Sequence, residues 1–103
     1  MIVVNGVLTT TPDNIAAAQE AIGIMEQASR AEAGCDDYTF SVELNNPGMM
    51  RITEKWHSIE ALHEHMASPH MAEFQKAIGA HPPTSMEITF YEAKDQTPAG
   101  WRQ

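Results

Sequence analysis

Apolar residues recur along this chain in two periods, and the switches between them divide it into strands and helices. Residues 2–10 (Ile-Val-Val-Asn-Gly-Val-Leu-Thr-Thr) are dense in β-branched types and predict a first strand. Thr11-Pro12 then offers an N-cap and an N1 proline. Ile15, Ala18, Ile22 and Met25 follow at helical spacing, which predicts a helix over residues 12–31. Gly34 ends the connection. Tyr38, Phe40, Val42 and Leu44 alternate with Thr39, Ser41 and Glu43, the mark of a strand with one apolar face. Asn45-Asn46-Pro47-Gly48 is turn chemistry, so residues 49–56 become the antiparallel partner. Ser58 caps a short helix with Ile59, Leu62 and Met66 toward the core. Ser68-Pro69 opens another, striped by Met71, Phe74 and Ile78 and stopped at Pro82-Pro83. Residues 85–93 form the last strand. The pattern therefore predicts one domain over residues 1–93 and an irregular tail over 94–103.

The order is β-α-β-β-α-β with the second helix broken in two. That is the α+β, ferredoxin-like arrangement, an antiparallel sheet with helices on one face. The other face, carrying Thr39, Ser41, Glu43, Arg51, Thr53, Lys55, Thr89 and Tyr91, has no cover within the chain. Two such sheets packed face to face would cover it, so a homodimer is expected.

Charge narrows the partners. Six basic residues against 14 acidic ones give a formal charge of −8. This argues against nucleic acid, which needs a basic face, and against an anionic membrane surface. No apolar run approaches a membrane span, and the N-terminus lacks the features of a signal peptide. One cysteine, Cys35, cannot form an internal disulfide, so a cytoplasmic location is expected. Beside Asp36 and Asp37, its thiol pKa should rise, which makes it a poor nucleophile and a small apolar residue at a strand start.

Chemistry gathers in residues 54–71. Strand alternation puts Met50, Ile52, Glu54 and Trp56 on the core face. Glu54 is then a carboxylate on an apolar face, to be paired, hydrogen-bonded or protonated, with a pKa raised by burial. It reads as an acid/base or anchoring group, or as a strand-end acid that reaches water. Trp56 closes the sheet end or stacks on a flat ligand. His65 lies on the flank of its helix stripe. His70 sits in the first turn of its helix, where the dipole favours the neutral, proton-accepting imidazole. Either histidine alone reads as a helix-end residue, but both near Trp56 point to a site. Asn5 interrupts an apolar strand, either as a hydrogen-bond donor to a ligand or as a satisfied structural amide. Tyr38 and Tyr91 are further hydroxyl candidates. No His-Glu-x-x-His pattern and no zinc-like spacing occurs, so no metal site is expected. No glycine-rich phosphate loop and no flavin, nicotinamide or haem attachment signal is present, so no cofactor is expected either.

At Glu54-Lys-Trp56, Ser58, Ala61-Leu62, His65, Ser68-Pro69-His70-Met71 and Phe74, the chain resembles the antibiotic biosynthesis monooxygenase family, closest to its quinol monooxygenase-like members. The resemblance extends to the first strand and to Glu32-x-Gly34-Cys35. It implies a dimeric ferredoxin-like α/β barrel. It also implies a cofactor-independent monooxygenase that oxidises a quinol or hydroxyaromatic substrate with O2. On that reading His65 or His70 is the base, with Glu54 orienting a histidine or holding the strand end. Trp56 and Phe40 form the pocket wall, Met66 and Phe74 complete the substrate contacts, and Asn5 or Tyr38 binds the oxyanion. Two alternatives stay open: a non-catalytic dimer that binds a small ligand, and an O2-independent isomerase using a histidine–carboxylate pair.

Overall fold

The computed structural model describes residues 1–102. Its elements run β1 (Ile2–Thr9), α1 (Pro12–Arg30), β2 (Cys35–Glu43), β3 (Asn46–Trp56), α2 (Ile59–Met66), α3 (Pro69–Gly79) and β4 (Ser85–Glu92). Every pairing is antiparallel, and the strand order is β2-β3-β1-β4. The fold is the ferredoxin-like one expected from the pattern. Each helix begins as its sequence demands. The side chains of Thr11, Ser58 and Ser68 accept from the backbone N–H groups of Asn14, Ala61 and Met71.

The registers fix which residues share a face. Tyr38 lies opposite Glu54, Glu54 opposite Val4, and Val4 opposite Phe90. The next row along that face runs Phe40, Ile52, Gly6 and Ile88. Both rows turn toward the helices, and Val4, Tyr38, Ile52 and Trp56 are buried there with Met25 and Leu62. Gly6 is required in the second row. A Cβ on it would come within 2.7 Å of the Ile52 Cγ2. The opposite face carries Thr39, Thr53 and Thr89 in one row, as the uncovered face was expected to, and Asn5 joins them there.

α1 covers β2 and β3 and also protects the open edge of β2. Arg30 Nε donates to the Tyr38 carbonyl at 2.8 Å, and the Phe40 N–H donates to Glu26 Oε2 at 2.8 Å. Side chains thus occupy edge groups that would otherwise recruit another strand. β4 has no such cover and every residue in it is exposed.

Several local expectations are corrected. The hairpin turns at Leu44–Asn45, and β3 begins at Asn46, because Glu43 pairs with Asn46 while Val42 pairs with Met50. Pro47 and Gly48 lie within that irregularity, where a proline that lacks an N–H is tolerated. Leu44, expected on the apolar face, is therefore in the turn and 95% exposed. α2 is rotated from its predicted stripe. Ile59 and Met66 are 43% and 49% exposed, while Leu62 and His65 are the buried pair. Gly34 contributes to this placement, since a Cβ there would overlap the Ala61 Cβ and push α2 away.

Candidate active site

A cavity of about 400 Å³ lies between the sheet and α3. Its floor includes Leu8, Ile52, Ile88 and Phe90, and its roof includes Met71, Phe74 and Ile78. α3 stands off the sheet here, which explains why none of its stripe residues is fully buried. Phe40 and Phe74 face each other with ring centroids 5.5 Å apart. Glu54 and Gln75 are the polar side chains other than the Tyr38 phenol in an otherwise apolar lining. Sites for small organic ligands are commonly mostly apolar with few polar groups.

Glu54 is the lining carboxyl. It is 7% exposed, and its Oε1 accepts from Trp56 Nε1 at 2.9 Å. Burial raises its pKa, the indole bond opposes that rise, and the charge of Glu32 adds to it. The Tyr38 phenol is likewise held well above its ordinary range, first by burial and then by Glu54. Tyr38 thus stays a neutral hydroxyl.

Behind this wall lies a second cluster. Glu32, in the link between α1 and β2, places one oxygen, Oε2, 2.7 Å from His65 Nδ1 and 2.9 Å from His70 Nε2. His65 is fully buried, with its ring 4.4 Å from that of Trp56 and 5.2 Å from that of Tyr38. Its pKa is lowered chiefly by burial, against the pull of Glu32. Nε2 of His65 has no hydrogen-bond partner among the described residues.

Asn5 and Trp56 do not take the substrate contacts that the resemblance implies, and Trp56 keeps its other reading as a core residue closing the sheet end. Asn5 is exposed on the other sheet face, accepting from the Thr53 hydroxyl at 3.0 Å, because strand alternation sends Val4 and Gly6 inward instead. Trp56 is fully buried behind the lining, packed on His65, and does not wall the cavity. Glu54 meets Trp56 rather than a histidine. The carboxylate that meets both histidines is Glu32, which in the sequence stands out only as part of Glu32-x-Gly34-Cys35. Tyr38, Phe40, Met66 and Phe74 line the cavity, while His65 and His70 sit beside it. Cys35 opens β2 as expected, and burial with the nearby Glu32 charge pushes its thiol up to about 11.

Glu32, His65 and His70 also form a ligand set that sequence spacing concealed, two imidazole nitrogens and a carboxylate oxygen within 4.8 Å of one another. A metal held by His65 Nδ1 would require a proton on Nε2, and that proton has no acceptor among the described residues. Metal-bound imidazoles almost always donate from their other nitrogen. The set therefore fits a hydrogen-bonded cluster better than a metal centre.

Comparison with known proteins agrees with this architecture. The model of the antibiotic biosynthesis monooxygenase family matches residues 1–77. A Deinococcus radiodurans protein, provisionally named an antibiotic biosynthesis monooxygenase, is 32% identical with a TM-score of 0.86, over 95% of this chain and 97% of that one. Rv0793 from Mycobacterium tuberculosis is 25% identical with a TM-score of 0.81, over 94% and 98%. A conserved protein from Methanosarcina mazei Go1 is 25% identical with a TM-score of 0.82, over 90% and 92%. No match was found among curated proteins. The chain belongs to the antibiotic biosynthesis monooxygenase family.

Proposed function

We propose that this protein is a monooxygenase that needs no cofactor and oxidises a quinol or related hydroxyaromatic with O2. The observation that carries the reading is one buried carboxyl, Glu54, on the wall of a large apolar cavity. A flat aromatic would lie between the sheet floor of Ile52, Ile88 and Phe90 and the α3 roof, against the paired rings of Phe40 and Phe74. Its hydroxyl meets the polar groups of the wall. A carboxylate with a raised pKa is a stronger base than an ordinary one, which supports Glu54 as the group that takes the hydroxyl proton. His65 and His70, the other candidate bases, act from behind the wall.

The resulting anion is electron-rich enough to pass one electron to O2. Superoxide and the substrate radical then combine at carbon, forming a C–O bond. The carbon-bound hydroperoxide loses water as its O–O and C–H bonds break, leaving a carbonyl. A quinol thus becomes a hydroxyquinone, with one oxygen atom in the product and the other in water. The proton held at Glu54 returns to the departing oxygen.

A homodimer through the open sheet face belongs to the same proposal. That face presents the Arg51–Glu43 ion pair and the Asn5–Thr53 pair, and Tyr91 on it is half exposed. A sedimentation mass of one chain at micromolar concentration would contradict it.

The activity is tested by O2 uptake with metal-stripped protein and a panel of hydroquinones and hydroxyanthrones, with autoxidation subtracted. Saturable uptake is expected. Ligand-induced thermal stabilisation without uptake would make the protein a binding module instead.

A further inference from the structure

The one oxygen of Glu32 that faces both histidines is an acceptor, so both ring nitrogens must present protons to it. His65 is thereby held in its Nδ1–H form and His70 in its Nε2–H form. In neutral His65 the proton on Nδ1 leaves Nε2 as a bare lone pair. That lone pair is fully buried and meets no donor among the described residues. Buried polar atoms are seldom left so, and an orphan acceptor calls for an O–H or N–H donor that the chain itself does not supply.

We propose that Glu32 is a positioning residue that fixes the His65 tautomer and so presents Nε2 as an acceptor for a hydroxyl donor from outside the chain. His65 is fully buried behind the cavity wall, so the donor is a water admitted with the proposed aromatic substrate rather than the hydroxyl that Glu54 deprotonates, and to that extent the inference rests on the proposed function. The arrangement joins three segments. Glu32 comes from the link after α1, His65 from the end of α2 and His70 from the first turn of α3. The charged or titratable groups around His65 are Glu32 and His70, with Tyr38 against its ring and Glu54 bonded to the Trp56 on which it stacks. None but Glu32 bonds its Nδ1.

The role differs from simple support. A merely structural Glu32 would tie the three segments together without determining which nitrogen of His65 carries the proton. Loss of its charge would then change stability but not the tautomer.

The test is nitrogen-15 NMR of the histidine rings in the whole protein at neutral pH, alongside kinetics. Wild type is expected to show His65 as the Nδ1–H tautomer. Glu32→Gln, which can donate as well as accept, is expected to redistribute the tautomers and to lower kcat at least tenfold with KM little changed. Glu32→Asp is expected to restore part of both signals, and His70→Ala to leave the His65 tautomer in place. A wild-type His65 protonated at Nε2 would overturn the proposal. So would a folded Glu32→Gln protein that keeps the tautomer, and so would stoichiometric Zn2+ binding that displaces the ring protons. The NMR arm needs no substrate. A protein inactive on every hydroxyaromatic, yet showing these tautomers, would end the monooxygenase reading and leave the positioning role standing.

Discussion

Trp56 Nε1 donates to Glu54 Oε1 at 2.9 Å, and both residues are buried on the same face of β3. The strand's alternation puts them there, and the bond gives Glu54 its one side-chain partner among the described residues. The other carboxyl oxygen accepts no hydrogen bond from the described residues. Removing the indole N–H should therefore strand a buried carboxyl. Trp56→Phe is predicted to cost about 1–3 kcal/mol, the range for orphaning a buried polar group. The Glu54 pKa should rise further. Urea melts and a carboxyl titration followed by carbon-13 NMR check both effects, and an unmoved titration would contradict the bond's role.

Glu54→Gln separates chemistry from stability. Glutamine keeps an oxygen for the Trp56 N–H but cannot accept a proton as a base. Activity should fall by roughly 100-fold or more, in line with loss of a general base. At pH 8 the variant should be at least as stable as wild type, because the buried charge is gone. Comparison of kcat with thermal midpoints at that pH decides it.

Stability should respond to pH in opposite senses at the two buried groups. The folded Glu54 pKa is raised, so its contribution is full below the ordinary value of 4.5 and is lost as pH climbs through the folded value. The folded His65 pKa is lowered, so its contribution is full above 6.5 and is lost as pH falls below that value. His65→Asn should flatten the decline below 6.5, and Glu54→Gln should flatten the one above 4.5. Denaturant midpoints between pH 4 and pH 9 measure both slopes.

The element order was legible because capping and periodicity agreed. Thr11, Ser58 and Ser68 announced three helices, and the apolar alternation of β2 and β3 announced the sheet. The hairpin end is hidden because turn residues at 45–48 suggest a later strand start, whereas the register irregularity absorbs Pro47. The orientation of α2 is hidden for a different reason. Hydropathy ranks Ile59 and Met66 above histidine, but Gly34 lets Ala61 approach closely and Glu32 satisfies His65, so the imidazole goes inside. Glu32 itself was invisible as a site residue. It is 33 positions from His65 and 38 from His70 in the chain, and only the fold joins them. The alternation of β1 was available to place Asn5 outward, and its sequence neighbours Val4 and Gly6 show that parity.

The cavity makes its own prediction. Ile88 is on its floor and 38% exposed, so a larger side chain can enter the space without displacing the core. Ile88→Trp should raise KM by roughly 5–30-fold, the factor for a binding loss of one or two kcal/mol. Thermal stability should change little. An unchanged KM would place the substrate elsewhere.

The most direct test of the central claim is turnover under labelled O2 with the best substrate of the panel, followed by mass spectrometry of product and water. Oxygen insertion at the cavity predicts one labelled atom in each product molecule and one in water, with both lost in Glu54→Gln. Substrate converted without label in the product would contradict the monooxygenase account.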